Sequence, residues 1–235
     1  MLLEGAEAFA KGQRAYVATF SSVWIATKFL AESRAPSPAE AATAAQRIHY
    51  ALGVWGAGRR RAPKVASVEE LVRMLSDERV WRPAAKLWAL VATWDVADIE
   101  PVDLVEAIPL LGRLATAGFD SSSVRLLYPL KLLLMLTGLG PVPDRWVRAG
   151  LKAAGCPGWT SSVEVVPEAA GAPVATRLMA LWADAALRTR EELPTREAGD
   201  PDIRWLVEQK AFGRVADMAY FSAGRQPVAA PDAEG

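Results

Sequence analysis

The chain has 235 residues, 51% of them hydrophobic, and its 27 basic residues balance 27 acidic ones. That size suits one domain with a sizeable core, and the zero net charge excludes a polyanionic partner held by overall charge, so any nucleic-acid site has to be a local patch. A single cysteine, Cys156, and a single histidine, His49, exclude an intrachain disulfide and leave no usual Cys/His ligand set for a metal, pointing to a reducing, cytoplasmic setting.

Apolar residues recur at helical spacing nearly throughout, and runs of β-branched residues are scarce. The first predicted helix covers Ala6 to Glu32, with a break near Ser21-Ser22. Ser37 then caps a second helix that Pro38 opens and that runs to Leu52. The glycine-rich basic stretch GVWGAGRRRAP follows, closed by Pro63. Ser67-Val68-Glu69-Glu70 has the form of a capping box and starts a helix through Leu75. Further helices are expected from Pro83 to Trp94, from Glu100-Pro101 to Gly118, and from Ser122 to Thr137. In the last of these Pro129 bends the helix or delays its start. Gly138-Leu139-Gly140-Pro141 ends that helix, and Pro143-Asp144 opens one through Ala154. Later helices are expected from Pro173 to Arg190 and from Pro201 to Ala223.

The expected fold is all-α, a single globular domain of about eight to ten helices over residues 1–225, with a disordered tail at 226–235. The acidic, weakly apolar N-terminus does not read as a secretory signal. The most apolar stretch, Leu126 to Leu139, is interrupted by Pro129 and Lys131 and is too short to span a bilayer. No membrane association and no cofactor are expected. The nine tryptophans are spread over the chain, as core residues with indole N–H partners would be.

Two stretches carry candidate chemistry. The first runs from Arg125 to Lys152. It holds a lysine, Lys131, inside the apolar helix LYPLKLLLMLTG, and an aspartate, Asp144, at the next helix start. A buried ammonium is costly unless paired, and desolvation favours the neutral amine, which is a usable nucleophile. Asp144 can pair with it across the loop, or serve simply as a helix N-terminal carboxylate; Lys131 can equally be a core lysine whose head reaches water. The second stretch is Trp55 to Lys64, with Arg59, Arg60, Arg61 and Lys64 and no acid. Such a loop suits a phosphate backbone, with Trp55 placed to stack on an unpaired base, or it is a solvated turn.

A lysine on an apolar helix, a proline-containing turn and an aspartate opening the next helix resemble the helix-hairpin-helix DNA glycosylase superfamily. The pattern is most similar to its compact bacterial 8-oxoguanine-glycosylase-like relatives, which carry K-L-L-x-x-x-x-P-x-x-x-P-x-x-D. The matching residues are Lys131, Leu132, Leu133, Pro141 and Asp144, although Pro141 departs from the family spacing. The resemblance spans about 30 of the 235 residues. It implies that Lys131 attacks the sugar carbon, that Asp144 assists, and that the partner is DNA.

The family hairpin, L-x-G-(V/I)-G-x-K, has glycines just before the lysine, where this chain has Ser121-Ser122-Ser123 and Tyr128-Pro129. In a second alignment Gly138-Leu139-Gly140 is itself the hairpin turn and presents its N–H groups to a DNA phosphate. The lysine position then falls on Val142, leaving DNA binding without an amine. The two alignments exclude each other. Independently of the alignment, five bases from Arg125 to Lys152 (Arg125, Lys131, Arg145, Arg148 and Lys152) stand against one acid, Asp144, a second basic stretch that points to a polyanion.

The expected function is therefore that of a glycosylase-like DNA-binding protein of repair or defence, inspecting or excising a flipped base. The alternative is a helical interaction or scaffold protein with a protein partner and no chemistry.

Overall fold

The structure, a computed structural model, describes residues 2–59, 62–92, 104–120, 127–156 and 198–225. The helix expected from Pro173 to Arg190, the tail, and the expected helix starts at Glu100-Pro101 and Ser122 lie outside the described residues. The rest is all-α: eleven helices and one two-stranded ribbon among the described residues. No helix among them is long and apolar enough to cross a membrane.

The first predicted helix is three: α1 (Leu2–Gly12), α2 (Arg14–Ala26) and α3 (Lys28–Ala31). The breaks fall at Gln13 and Thr27 rather than at Ser21-Ser22. At Thr27 the buried hydroxyl donates back to the Val23 carbonyl at 3.0 Å, a bond that competes with helix continuation. α4 (Pro38–Val54) begins as its sequence dictates. The Ser37 hydroxyl accepts the Glu40 N–H at 3.3 Å, and the Glu40 carboxylate accepts the Ser37 N–H at 2.8 Å. Ser67 and Glu70 repeat this box at the start of α5 (Val68–Ser76).

α6 (Glu78–Ala92) starts a turn earlier than Pro83 suggests. Asp77 accepts the Arg79 N–H at 2.9 Å, which opens the helix and leaves Pro83 inside it. α7 (Ala107–Gly118) follows and α8 (Leu127–Thr137) comes next, with Pro129 in the first turn of α8. α9 (Arg145–Ala153) is capped by Asp144. The final predicted helix is two, α10 (Pro201–Glu208) and α11 (Phe212–Arg225). Between them Lys210 takes φ 58°, and Ala211 and Lys210 donate to Leu206 and Val207, the reversal that ends a helix with a left-handed residue.

The ribbon was not expected. β1 (Lys64–Val65) pairs antiparallel with β2 (Phe119–Asp120), in the register Lys64 with Asp120 and Val65 with Phe119. It ties the basic loop to the end of α7.

α8 is apolar except on the side of Tyr128 and Lys131 and packs into the core, with Leu132, Leu133, Leu134, Met135 and Leu136 all buried. α9 and α11 cross in direct backbone contact. A Cβ at Gly150 would overlap the Tyr220 carbonyl, and one at Gly224 the Trp146 carbonyl. Gly150→Ala is thus expected to cost about 1–3 kcal/mol by overpacking. Urea unfolding measures it, and a variant as stable as the wild type would mean that the helices can separate freely.

Candidate functional site

The site is built where α4 ends against α8. Trp55 is the C-cap of α4. Gly56, at φ 99°, and Ala57 turn the chain back, with Gly56 donating to Gly53 and Ala57 to Leu52. This reversal satisfies two late carbonyls of the helix and leaves that of Trp55 open. Lys131 fills it: its Nζ donates to the Trp55 carbonyl at 2.7 Å. One turn earlier on α8, the Tyr128 ring lies 5.1 Å from the same nitrogen, and its hydroxyl donates to the Gly56 carbonyl at 3.4 Å.

Lys131 is mostly buried, and among the described residues no carboxylate forms an ion pair with it. Burial pushes its ammonium below the usual lysine value. Asp144 and Asp217 pull it back up, and Arg214 and Arg59 push it further down. All four charged groups are thus within electrostatic reach of this amine.

Asp144 does not pair with Lys131 as one expectation had it. Its Oδ1 accepts the N–H groups of Trp146 at 2.8 Å and Val147 at 2.9 Å, closing the start of α9. Its Oδ2 takes no hydrogen bond from a described residue. Among the described residues the carboxylate therefore keeps one oxygen without a donor, and it still acts on Lys131 through its charge.

Two further charged groups escaped sequence reasoning. Arg214 and Asp217 stand one turn apart on α11 and are both buried, at 2% and 7% exposure. Arg214 donates to Asp217 Oδ2 at 2.5 Å, and Asp217 Oδ1 accepts the Val142 N–H at 2.9 Å, two residues before Asp144. The Arg214 guanidinium lies over the Trp55 indole at 4.4 Å. This pair thus touches both sides of the site: the chain leading to Asp144, and the residue whose carbonyl holds Lys131. Burial pushes the Asp217 carboxyl up, to about 6, although Arg214 opposes that. Its signal in the sequence was a charged i, i+3 pair inside the apolar run AFGRVADMAYF.

The structure corrects two assignments. The Trp55 indole is not offered for base stacking. It is 6% exposed, its N–H donates to the Thr19 hydroxyl at 3.0 Å, and its ring packs near Tyr16. Gly138 and Gly140 are buried, so they do not present N–H groups to a DNA phosphate. The Gly138 N–H goes to Leu134 and the Leu139 N–H to Thr137, and a Cβ at Gly213 of α11 would overlap the Gly138 carbonyl. These contacts disfavour the alignment in which Gly138-Leu139-Gly140 is the DNA hairpin.

Arg59 and Lys64 are exposed, and Arg59 is one of the charges that Lys131 senses. Lys64 faces Asp120 across the ribbon, which lowers the local excess of positive charge. Arg60, Arg61 and Arg125 lie outside the described residues. Arg145 is exposed, and Arg148 is half-buried on α9. A separate open cavity of about 600 Å³ lies beside the ribbon, lined by Glu70, Arg73, Met74, Phe119 and Asp120 among others, and it contains none of the expected site residues.

Compared with family models, with curated proteins and with solved structures, the chain matches none.

Proposed function

We propose that this chain is a DNA-binding protein of the glycosylase type, with Lys131 as the amine that attacks the sugar and Asp144 as the carboxylate that stabilises the sugar cation developing as the base departs. The observation carrying the reading is a mostly buried lysine, free of any ion pair with a described carboxylate, in the field of a helix-capping aspartate with one oxygen that takes no hydrogen bond from a described residue. A nucleophilic amine needs a lowered pKa, and the aspartate must act on it without locking it as an ammonium. Arg59 supplies nearby positive charge for a phosphate backbone. The direct test is incubation with duplexes carrying a panel of damaged or modified bases, scored for base release. Release from none of them, together with no DNA binding, sinks the proposal.

One observation favours a second reading. The bond from Lys131 to the Trp55 carbonyl closes the end of α4, as a cation at a helix C-terminus often does. On that reading Lys131 is structural and the chain is a helical interaction protein. Lys131→Met then lowers stability and changes no activity.

If the loop touches DNA, affinity falls as salt rises. Replacing Arg59, Arg60, Arg61 and Lys64 with alanine is expected to flatten the log–log salt dependence by about 0.9 per lost phosphate contact. Fluorescence anisotropy across a salt series measures this, and an unchanged slope removes the loop from the interface.

A further inference from the structure

A second cationic feature stands next to Asp144 in the chain, at the start of α9, and owes nothing to the loop. Arg145 and Arg225 are both exposed and share one aromatic ring. The Arg145 guanidinium carbon lies 4.1 Å from the Trp146 ring centre, and that of Arg225, the last residue of α11, lies 5.9 Å from the same ring and 5.8 Å from Phe221. Backbone contact between α9 and α11 enforces the meeting, because Gly224 admits the Trp146 carbonyl where any side chain would collide.

Neither guanidinium forms an ion pair with a carboxylate of a described residue. Arg145 also stands in the first turn of α9, where the positive end of the helix dipole disfavours a cation. Asp144 offsets part of this charge, but its Oδ1 is engaged by the helix N–H groups. Two exposed arginines whose guanidiniums lie over one indole, at 4.1 and 5.9 Å, suit a tetrahedral oxyanion. Planar arginine donors favour phosphate, and the indole gives them a fixed platform.

We propose that Arg145, Trp146 and Arg225 form a phosphate clamp for the backbone of a nucleic-acid strand passing Asp144. This rests on the reading that such a strand reaches Asp144, and it adds the α9–α11 corner as the surface that holds it.

The test uses the full chain and an undamaged duplex, with a single strand of the same sequence as a second ligand, followed by anisotropy over a salt series. Arg145→Gln combined with Arg225→Gln removes both charges and leaves a planar amide on a shorter stem. The log–log slope is expected to become shallower by about one to two units, with affinity falling roughly 10- to 100-fold at moderate salt. Arg145→Lys combined with Arg225→Lys retains most of the slope. Inorganic phosphate at matched ionic strength separates the two phosphate sources: a clamp for the strand backbone is displaced only weakly, whereas competition as strong as that of the oligonucleotide assigns the corner to free phosphate and overturns the proposal. An unchanged slope in the glutamine pair overturns it too; should the pair fail to fold, each single variant is read in the same way, with about half the change. The readout is independent of chemistry. Lost base release with an intact Arg145/Arg225 effect refutes the nucleophile alone, and retained base release with no such effect refutes the clamp alone.

Discussion

Borohydride reduction during incubation with a cognate modified duplex is expected to trap a covalent protein–DNA adduct, and Lys131→Gln is expected to abolish it. The amine nitrogen bonds to the sugar C1′ as the C1′–N bond to the base breaks, and the base leaves with the bonding electrons and gains a proton. Ring opening then gives an imine, which hydride from the added borohydride reduces to a stable secondary amine. Glutamine cannot form that imine, so the adduct should fall on the order of 10³-fold or more, to background.

The buried setting adds a pH signature. Because burial lowers the Lys131 pKa, the free amine is present at lower pH than for an exposed lysine, and trapping should rise with pH until that depressed value is passed. Asp144→Asn separates charge from capping. Asparagine caps a helix about as well as aspartate, so α9 should hold, while loss of the carboxylate charge should slow the reaction about 10²- to 10³-fold. Adduct persisting in Lys131→Gln would place the nucleophile elsewhere.

Asp217→Ala is expected to be the most destabilising of the substitutions considered. It leaves the Arg214 guanidinium, 2% exposed, without its carboxylate, and it removes the acceptor of the Val142 N–H. Breaking a buried pair from one side costs about 3–5 kcal/mol, and a chain of this length loses about 2–4 °C of Tm for each kcal/mol. Arg214→Met combined with Asp217→Leu should recover much of that loss, since replacing both partners strands no charge.

The pH dependence has a definite sign. The folded Asp217 pKa, about 6, lies above its ordinary 3.8. The native state therefore holds more protons than the unfolded state between those values, and this group's contribution to stability falls as pH rises from about 4 to about 6 and is flat above. Asp217→Asn should lose that slope. Thermal unfolding over pH reads both effects, and an Asp217→Ala variant within about 1 kcal/mol of wild type would show that the pair is dispensable.

Local chemistry alone determined much of this protein. Ser37 with Glu40 and Ser67 with Glu70 open α4 and α5 as their spacing requires, because a capping box is completed within four residues. The helical class, the N-cap role of Asp144 and the apolar setting of Lys131 were legible for the same reason: each depends on periodicity or near neighbours. Long-range packing decided the rest. Lys131 meets the Trp55 carbonyl across 76 positions, and Asp217 meets the Val142 N–H across 75, distances over which no local pattern acts. Trp55 looked like a loop aromatic beside a basic run, yet Thr19 and Arg214 enclose it. Gly138-Leu139-Gly140 looked like a phosphate turn, yet Gly213 admits its backbone into the core. The lysine and aspartate could be picked out one by one. Their shared electrostatic field, and the buried ion pair linked to both sides of it, exist only once α4, α8, α9 and α11 pack together.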